Sequence, residues 1–304
     1  MSTDHQPLAR KWRPTQFDDV IGQRGVVETL RNALASGRLA QSFIFAGPRG
    51  VGKTTTARLL AKALNCVDGP TATPCGHCDA CREIAEGRDM DVLEIDAATH
   101  TQVDNVREGI VEPLSISPIR DRFKIFIIDE VHRLSKNAFD ALLKSIEEPP
   151  PYVKFMMATT DPQNVPITIQ SRSQVFELRA LPFTSIREKL REVMVEEGIT
   201  IDDAALALVA RHAEGSMRDA LSALDQVLAF TTENVTAEDV STVLGLVGRD
   251  LQFEMVETVA AESLPGVFDL AHRVVESGVD LRLVCRELAR LVRDLMVLQI
   301  DPTR

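Results

Sequence analysis

The run from Gly47 to Thr54 carries the clearest chemical signal in the sequence. Its letters, GPRGVGKT, fit the pattern G-x-x-x-x-G-K-[ST], and it lies between a strand-like apolar run and a helical pattern. Glycines allow backbone N–H groups to curve around phosphate oxygens, and the helix that follows adds the positive end of its dipole. An ordinary glycine-rich turn is the alternative, but the flanking strand and helix favour a phosphate-binding loop.

This loop is predicted to bind ATP or ADP together with Mg²⁺. Lys53 would reach the β- and γ-phosphates, and the Thr54 hydroxyl would coordinate Mg²⁺. The nucleotide-binding residues predicted in the loop are Gly47, Gly50, Val51, Gly52, Lys53, Thr54 and Thr55.

A second signal is an apolar run, Ile125–Ile128, that ends in two acids, Asp129 and Glu130. A buried strand that ends in this way delivers one carboxylate to the Mg²⁺ shell and a second to the attacking water. Many strands end in acids, so the pattern is weak alone. Together with the phosphate-binding loop it predicts Asp129 as a Mg²⁺ ligand and Glu130 as the residue that orients or deprotonates water.

Three further polar residues are candidates whose types fit phosphate chemistry. Thr160 lies in the tripeptide Thr159-Thr160-Asp161, which follows the apolar run 154–158. A polar side chain at such a strand end can sense a γ-phosphate, although the same tripeptide is typical of a turn. Arg172 and Arg218 are of the type that neutralises phosphate charge in a transition state. An isolated arginine is more commonly a surface charge, and the residues alone leave both interpretations open.

Four cysteines lie close together, in the spacing C-x8-C-x2-C-x2-C: Cys66, Cys75, Cys78 and Cys81. Four thiolates over so short a span suit a tetrahedral structural Zn²⁺ without an open catalytic position. Disulfides and unligated thiols are the alternatives, and His77 could compete as a ligand. Glycines and prolines make this segment loop-like in the sequence. The fifth cysteine, Cys285, lies in a helical pattern and is interpreted as a small buried apolar residue.

The elements that position these residues follow from the apolar periodicity. Up to residue 180, apolar runs predicted as strands alternate with helical patterns, which indicates an α/β fold with a parallel sheet. The predicted strands are Phe43–Ala46, Val92–Ile95, Lys124–Ile128, Lys154–Ala158 and Gln174–Leu178. After Leu181-Pro182 only helices are predicted, with Ser216 and Thr236 as N-caps.

The composition limits the classes of function. The chain has 304 residues and a formal net charge of −11, whereas proteins that bind nucleic acid on their own are usually basic. Any DNA contact must therefore come from a local basic surface or from several chains acting together. The sequence has neither a transmembrane span nor an apolar secretory signal, and a cytoplasmic location is expected.

Several motifs, in this order along the chain, resemble the gamma/tau family of clamp-loader subunits of bacterial DNA polymerase III. The likeness is strong to about Leu244 and looser beyond it. The motifs are Leu8–Pro14, Phe17–Gln23, the phosphate-binding loop, the four cysteines, Asp129–His132, Leu142–Lys144, Glu147–Pro150, Ala158–Asp161 and Ser216–Ser222.

The resemblance implies three domains and a chain that continues beyond residue 304. An AAA+ ATPase domain would span 1–179 with a zinc-binding insertion at 66–81, a three-helix lid would span 180–245, and 246–304 would begin a helical collar. The family implies clamp loading driven by ATP. The implied partners are the delta and delta-prime subunits, further gamma/tau copies, the beta sliding clamp and primer–template DNA.

The resemblance also implies roles for individual residues. Arg13 and Pro14 would lie by the nucleotide base, Thr160 would be the first sensor and Arg218 the second sensor. Arg172 would act as an arginine finger on ATP in the neighbouring subunit, although Ser173 replaces the usual cysteine after it. Arg107 and Lys144 are candidates for contacts with the DNA backbone, with ordinary surface charge as the alternative.

Two other functions remain open on the sequence. One is a structural ring subunit that binds nucleotide without hydrolysis, which the complete loop and the Asp129-Glu130 pair disfavour. The other is a different AAA+ motor, such as a Holliday-junction helicase or a protein remodeller. The four-cysteine insertion favours the clamp-loader interpretation over that second alternative.

Overall fold

The computed structural model describes residues 6–99, 106–231, 234–246, 249–276 and 281–301. The side chains of residues 107, 249, 250 and 283 are outside the description. The chain folds into two compact units. The first comprises Met1–Glu188 and Ala213–Leu221, and the second comprises Lys189–His212 and Ser222–Arg304.

A five-stranded parallel sheet forms the centre of the first unit, in the order β2-β3-β4-β1-β5. Its strands are β1 (Ser42–Ala46), β2 (Val92–Asp96), β3 (Lys124–Asp129), β4 (Val153–Thr159) and β5 (Gln174–Glu177). The predicted parallel α/β sheet is thereby confirmed. Because all strands run the same way, the loops that follow β1, β3 and β4 leave from one edge of the sheet.

Both faces of this sheet are buried, which explains why the strands read as continuous apolar runs. Phe43 and Phe45 of β1 belong to one apolar cluster, whereas Ile44 belongs to the cluster on the opposite face. The first cluster includes side chains of the helices Arg24–Ser36 and Lys53–Asn65, and the second includes side chains of Lys136–Glu147. The core therefore fixes the helix that follows the phosphate-binding loop against the sheet.

Helices follow the phosphate-binding loop and occupy most of the chain after Leu181-Pro182, as predicted. The longer helices are Arg24–Ser36, Lys53–Asn65, Asp79–Glu86, Lys136–Glu147, Phe183–Glu197, Asp203–His212, Met217–Phe230, Ala237–Val243, Arg249–Ala260, Leu264–Glu276 and Leu281–Ile300. Short helices occupy Leu8–Lys11 and Ile167–Gln170. Ser216 and Thr236 accept hydrogen bonds from the backbone N–H groups of Asp219 and Asp239, as predicted for N-caps. No helix in the described ranges is both long and apolar enough to cross a lipid bilayer.

Three features differ from the sequence expectations. The segment between Cys66 and Cys81 is not entirely loop, because Cys81 already lies on the helix Asp79–Glu86. Two short strands, Thr200–Ile201 and Asn234–Val235, pair in parallel within the region where only helices were predicted. The prediction for Cys285 is wrong, because its side chain is exposed. Its neighbour Val284 is the residue that packs into the apolar cluster of the C-terminal helices.

A buried carboxylate, that of Asp91, fixes the turn that leads into β3. Its oxygens accept hydrogen bonds from the backbone N–H groups of Ile119, Arg120 and Asp121, at 2.7, 2.8 and 2.9 Å. Burial alone would raise the pKa of Asp91, but these three donors and the nearby Lys124 hold its pKa below the usual value. The ionised carboxylate therefore stabilises the fold.

Replacing Asp91 is expected to destabilise the first unit. Asp91→Ala would leave three N–H groups without acceptors and lower the free energy of unfolding by on the order of 3 kcal/mol in urea at neutral pH. Asp91→Asn, which retains one acceptor oxygen, is expected to lose less. Because the folded pKa is depressed, the stabilisation is complete above the unfolded pKa of about 3.9 and is lost as pH falls through the folded pKa.

The variant Asp140→Ala serves as the control, because this aspartate is exposed on a helix surface. It should change the free energy of unfolding by less than about 0.5 kcal/mol. Equal losses in the Asp91 and Asp140 variants would show that the backbone hydrogen bonds to Asp91 contribute nothing specific.

Candidate nucleotide and metal sites

The loop after β1 takes a conformation that requires glycine. Gly50 has a φ of 72°, and a Cβ atom at that position would lie 1.8 Å from the Ser216 hydroxyl oxygen. The backbone N–H of Gly47 donates to the carbonyl oxygen of Thr159 at 3.1 Å, which ties the start of the loop to the end of β4. Lys53 begins the helix that follows. The loop thus has the form that the sequence motif predicts, with the helix N-terminus at its end.

Lys53 and Thr54 lie beside Asp129 and Glu130, the two acids at the end of β3. The Thr54 hydroxyl donates to Asp129 Oδ2 at 2.9 Å, and the buried Lys53 ammonium donates to the Pro48 carbonyl oxygen at 2.7 Å. Burial lowers the pKa of Lys53, partly offset by Glu130 and Asp129. Burial also raises the pKa of Asp129, and the hydrogen bond from Thr54 offsets this rise only in part. The hydroxyl and the carboxylate form a pair of hard oxygen donors, which suits Mg²⁺.

Glu130 occupies a backbone conformation that is uncommon outside glycine, with φ 47° and ψ 46°. Its carboxylate oxygen Oε2 accepts hydrogen bonds from the backbone N–H and the hydroxyl of Thr160, at 3.1 and 2.9 Å. The structure therefore brings together the predicted water-activating acid and the predicted first sensor. Sequence reasoning missed His132, whose side chain lies beside Glu130 and the hydroxyl of Thr159; its place directly after Asp129-Glu130-Val131 was the available signal.

Of the predicted arginines, Arg218 contacts the loop and Arg13 interacts electrostatically with Arg218. The backbone N–H of Arg218 donates to the Gly50 carbonyl oxygen at 3.4 Å. Arg13 interacts electrostatically with Arg58 and Arg218, and desolvation followed by the repulsion from Arg58 lowers its pKa. Among these residues Arg58 forms an ion pair with Glu94, at 2.7 Å. A group of arginines that repel one another suits an anionic ligand. Pro14, next to Arg13, is half-buried.

Arg172 and Lys144 are placed by other elements. Arg172 contacts Glu147, with Nη2 2.9 Å from Oε1, and donates to the Thr168 carbonyl oxygen at 2.9 Å. Ser173, which follows it, lies within hydrogen-bond distance of the Ser42 hydroxyl at 2.8 Å. Lys144 is exposed on the helix Lys136–Glu147. The side chain of Arg107 lies outside the described residues.

The four cysteine side chains form a cluster whose sulfur atoms all lie within 4.8 Å of one another. Backbone N–H groups of Cys78 and His77 lower the pKa of Cys75 to about 6, whereas burial raises the pKa of Cys66 and of Cys81. The cysteines are free thiols in the structure. His77 is exposed, and its Nδ1 lies 3.0 Å from the Cys75 carbonyl oxygen. Four converging sulfurs fit a closed tetrahedral metal site.

Two hydrogen bonds connect the segment that follows Arg13 and Pro14 with the cysteine loop and with the helix before it. The buried Lys62 ammonium donates to the Thr15 carbonyl oxygen at 2.6 Å, and the Gln16 amide donates to the Pro74 carbonyl oxygen at 2.8 Å. The N-terminal segment is thus attached to the loop that carries the cysteines.

The sheet, the glycine loop and the paired acids define the class as a P-loop ATPase fold. In structure the chain is similar to the RuvB Holliday junction branch migration motor of Thermotoga maritima, with a TM-score of 0.57 and 20% sequence identity. That likeness covers 82% of this chain and 80% of the motor. At this level of identity the comparison establishes the fold alone.

Family models assign the chain more narrowly. Residues 22–182 match the model of the DNA polymerase III delta subunit, and residues 185–233 match the ATPase lid domain of the DNA polymerase III clamp-loader subunit. Residues 235–304 match domain III of the DNA polymerase III subunits gamma and tau. Three successive family models thus cover most of the chain.

Individual relatives give the same assignment. The chain is 46% identical to the tau subunit of Escherichia coli DNA polymerase III over 98% of its own length and 46% of that relative. It is 40% identical to the gamma subunit of Buchnera aphidicola, covering 98% of this chain and 82% of that subunit. It is 41% identical to the gamma/tau subunit of Mycobacterium tuberculosis, of which it covers 51%. The chain belongs to the gamma/tau family of DNA polymerase III clamp-loader subunits, as the sequence motifs indicated, and spans about half the length of several of these relatives.

Removal of one cysteine is expected to abolish metal retention by the cysteine cluster. Cys78 caps the helix Asp79–Glu86 by accepting the N–H of Cys81, and serine is also a good N-cap. Cys78→Ser should therefore keep the helix but lose a thiolate ligand. Elemental analysis after dialysis should find about one metal ion per wild-type chain and almost none in the variant. Cys285→Ser should keep the wild-type content, and equal metal retention by both variants would contradict a four-sulfur site.

Proposed function

We propose that this chain is an ATP-hydrolysing motor subunit of the DNA polymerase III clamp loader, which uses ATP to load the sliding clamp onto primed DNA. Membership of the gamma/tau family supports this function. The observation that carries it is the contact of Thr54 with Asp129 at 2.9 Å, next to Glu130 and the phosphate-binding loop. A protein that only held nucleotide would not need an acid placed for water activation at this position.

In the proposed site, the loop from Gly47 to Thr55 surrounds the phosphates of ATP with backbone N–H groups. Lys53 exchanges its contact with the Pro48 carbonyl oxygen for phosphate oxygens. Mg²⁺, held by Thr54 and Asp129, supplies charge neutralisation at the phosphates. Glu130 orients the attacking water and accepts its proton, and Thr160, which already contacts Glu130, acts as the first sensor.

Arginines complete the proposed site from two directions. Arg218 acts as the second sensor within its own chain, where its backbone contacts Gly50. Arg172 acts on ATP bound in the neighbouring chain, so that ATP orders neighbouring subunits and hydrolysis requires assembly. Arg13 and Pro14 lie by the base. We further propose that Arg107 and Lys144 contact the DNA backbone.

The proposal includes the domain limits and partners that the sequence indicated. The ATPase domain would span 1–179 with its insertion at 66–81, the lid 180–245, and the first part of the collar 246–304. The cysteine cluster would bind Zn²⁺ as a structural ion, consistent with four sulfur ligands. The proposed partners are the delta and delta-prime subunits, further gamma/tau copies, the beta clamp and primer–template DNA, in the cytoplasm.

The central prediction separates nucleotide binding from hydrolysis. Lys53→Ala should weaken ATP binding by about tenfold or more, because it removes charge-assisted hydrogen bonds to phosphate. Glu130→Gln should bind ATP normally but hydrolyse it about a hundredfold more slowly. Both variants are compared with Lys136→Ala and Glu148→Gln, which change exposed residues of the same types. Equilibrium binding and steady-state hydrolysis are the two measurements.

Hydrolysis is measured with the full set of loader subunits, with and without sliding clamp and primed DNA. Strong stimulation that needs both, and that Lys53→Ala abolishes, is the expected result. Intact binding without stimulated hydrolysis would instead favour a structural ring subunit. Stimulation by a branched DNA junction without clamp would favour a motor of the Holliday-junction type.

The role of Arg172 in a neighbouring site can be tested by mixing variants. Complexes of Arg172→Ala chains alone should hydrolyse ATP at least about a hundredfold more slowly while still binding it. In complexes that mix Arg172→Ala with Glu130→Gln chains, an intact Glu130 site can receive Arg172 from the other chain, so activity should partly return. Unchanged turnover in Arg172→Ala complexes, or no recovery on mixing, would contradict action between chains.

A further inference from the structure

A histidine that the proposed mechanism leaves unused lies against the water-activating acid. His132 belongs to the short turn Val131–Arg133, which directly follows Glu130. Its side chain is only 15% exposed. Its Nδ1 lies 3.0 Å from the hydroxyl oxygen of Thr159 and 3.4 Å from Glu130 Oε2. One ring nitrogen therefore faces two oxygen atoms that belong to different strand ends.

The Thr159 hydroxyl is held in place by its own contacts. Thr159 is fully buried at the end of β4, and its hydroxyl oxygen accepts the backbone N–H of Asp161 at 3.0 Å. Its carbonyl oxygen accepts the N–H of Gly47, the first residue of the phosphate-binding loop. His132 is thus connected through Thr159 to the loop as well as to Glu130.

The tautomer follows from the acceptors that surround Nδ1. An ionised carboxylate can only accept hydrogen bonds, and it lies near Nδ1 on the same side as the Thr159 hydroxyl oxygen. A proton on Nδ1 makes both contacts attractive, whereas a lone pair there would face the lone pairs of Glu130. We therefore assign the proton to Nδ1, from which the imidazole donates toward Thr159 and the carboxylate.

Glu130 has an uncommon backbone conformation, and contacts from other residues hold its carboxylate. Its left-handed φ of 47° is uncommon for a residue with a long side chain. Thr160, after β4, donates two hydrogen bonds to Oε2, and His132 approaches the same atom from the turn after β3. Two elements, the end of β4 and the turn after β3, together define where the carboxylate points.

We propose that His132 is a positioning residue for ATP hydrolysis, which orients the Glu130 carboxylate by linking it through Nδ1 to Thr159. The inference rests on the proposed function, in which Glu130 activates water. His132 would not touch ATP or the attacking water. Its loss should therefore slow hydrolysis without weakening the binding of ATP.

The test uses side chains that reproduce one ring nitrogen at a time, in the complete loader complex with clamp and primed DNA. Asparagine places its amide nitrogen near the position of Nδ1, and glutamine places it near that of Nε2. His132→Ala is expected to lower kcat by about tenfold with ATP binding within about twofold of wild type. His132→Asn should recover most of the lost rate, whereas His132→Gln should not. Arg133→Ala, an exposed residue of the same turn, is the matched control.

A double variant tests whether His132 acts through Glu130. In the Glu130→Gln background, His132→Ala should cause no further loss of the residual rate, because the group that it orients is already absent. The thermal unfolding midpoint of each variant is measured alongside, so that a loss of folding is recognised. His132→Asn, which is close in size to histidine, provides a folded variant if His132→Ala is unstable.

The outcomes separate this inference from the proposed function. If Glu130→Gln retains full turnover, Glu130 is not the activating residue and the proposed function fails with it. If Glu130→Gln is inactive but His132→Ala turns over within about twofold of wild type, only the positioning role is overturned. Equal recovery by asparagine and glutamine, or an additive loss in the double variant, would also overturn it.

Discussion

The parallel pairing of β1 between β4 and β5 is the constraint on which the site depends. The register places Ala46 of β1 opposite Thr159 of β4 and Glu177 of β5. The chain leaves β1 into the phosphate-binding loop at the same edge where β3 ends in Asp129 and β4 ends in Thr159. The hydrogen bond from Gly47 to Thr159 closes this arrangement. A shift of β1 by one residue would reverse the faces of its side chains and separate these groups.

The parts of this arrangement that the sequence predicts are those encoded locally. The loop from Gly47 to Thr54 follows from a short motif, and the ends of β3 and β4 were predicted to within one residue, at Ile128 and Ala158. The left-handed backbone of Glu130 and the contact of His132 with Thr159 depend on two strands lying side by side, so no local pattern encodes them. The exposure of Cys285 was mispredicted because periodicity identifies an apolar face but not its edge.

The site contains cationic side chains, although the chain as a whole is negatively charged. The formal net charge is −11, yet Lys53 and the backbone of Arg218 contact the phosphate-binding loop, and Arg13 interacts electrostatically with Arg218. Desolvation lowers the pKa of Lys53, which means that its charged form is held in an environment that disfavours it. An anion placed among these groups relieves that penalty. The net charge therefore says little about the ligand, whereas the local arrangement favours a polyphosphate.

The cysteine cluster supports the same site structurally, by holding a neighbouring segment in place, and takes no part in the chemistry. Its loop is too short and too rich in glycine and proline to bury an apolar core of its own, so converging sulfur ligands take the place of a core. The loop in turn holds the segment after Arg13 through the hydrogen bond from Gln16 to Pro74, and the helix before the loop holds it through Lys62. Because Lys62 lies on the helix that begins at Lys53, one helix carries the phosphate-binding lysine at its start and an anchor for the N-terminal segment near its end. The two ends of this helix therefore relate the position of Arg13 to that of the phosphate-binding loop.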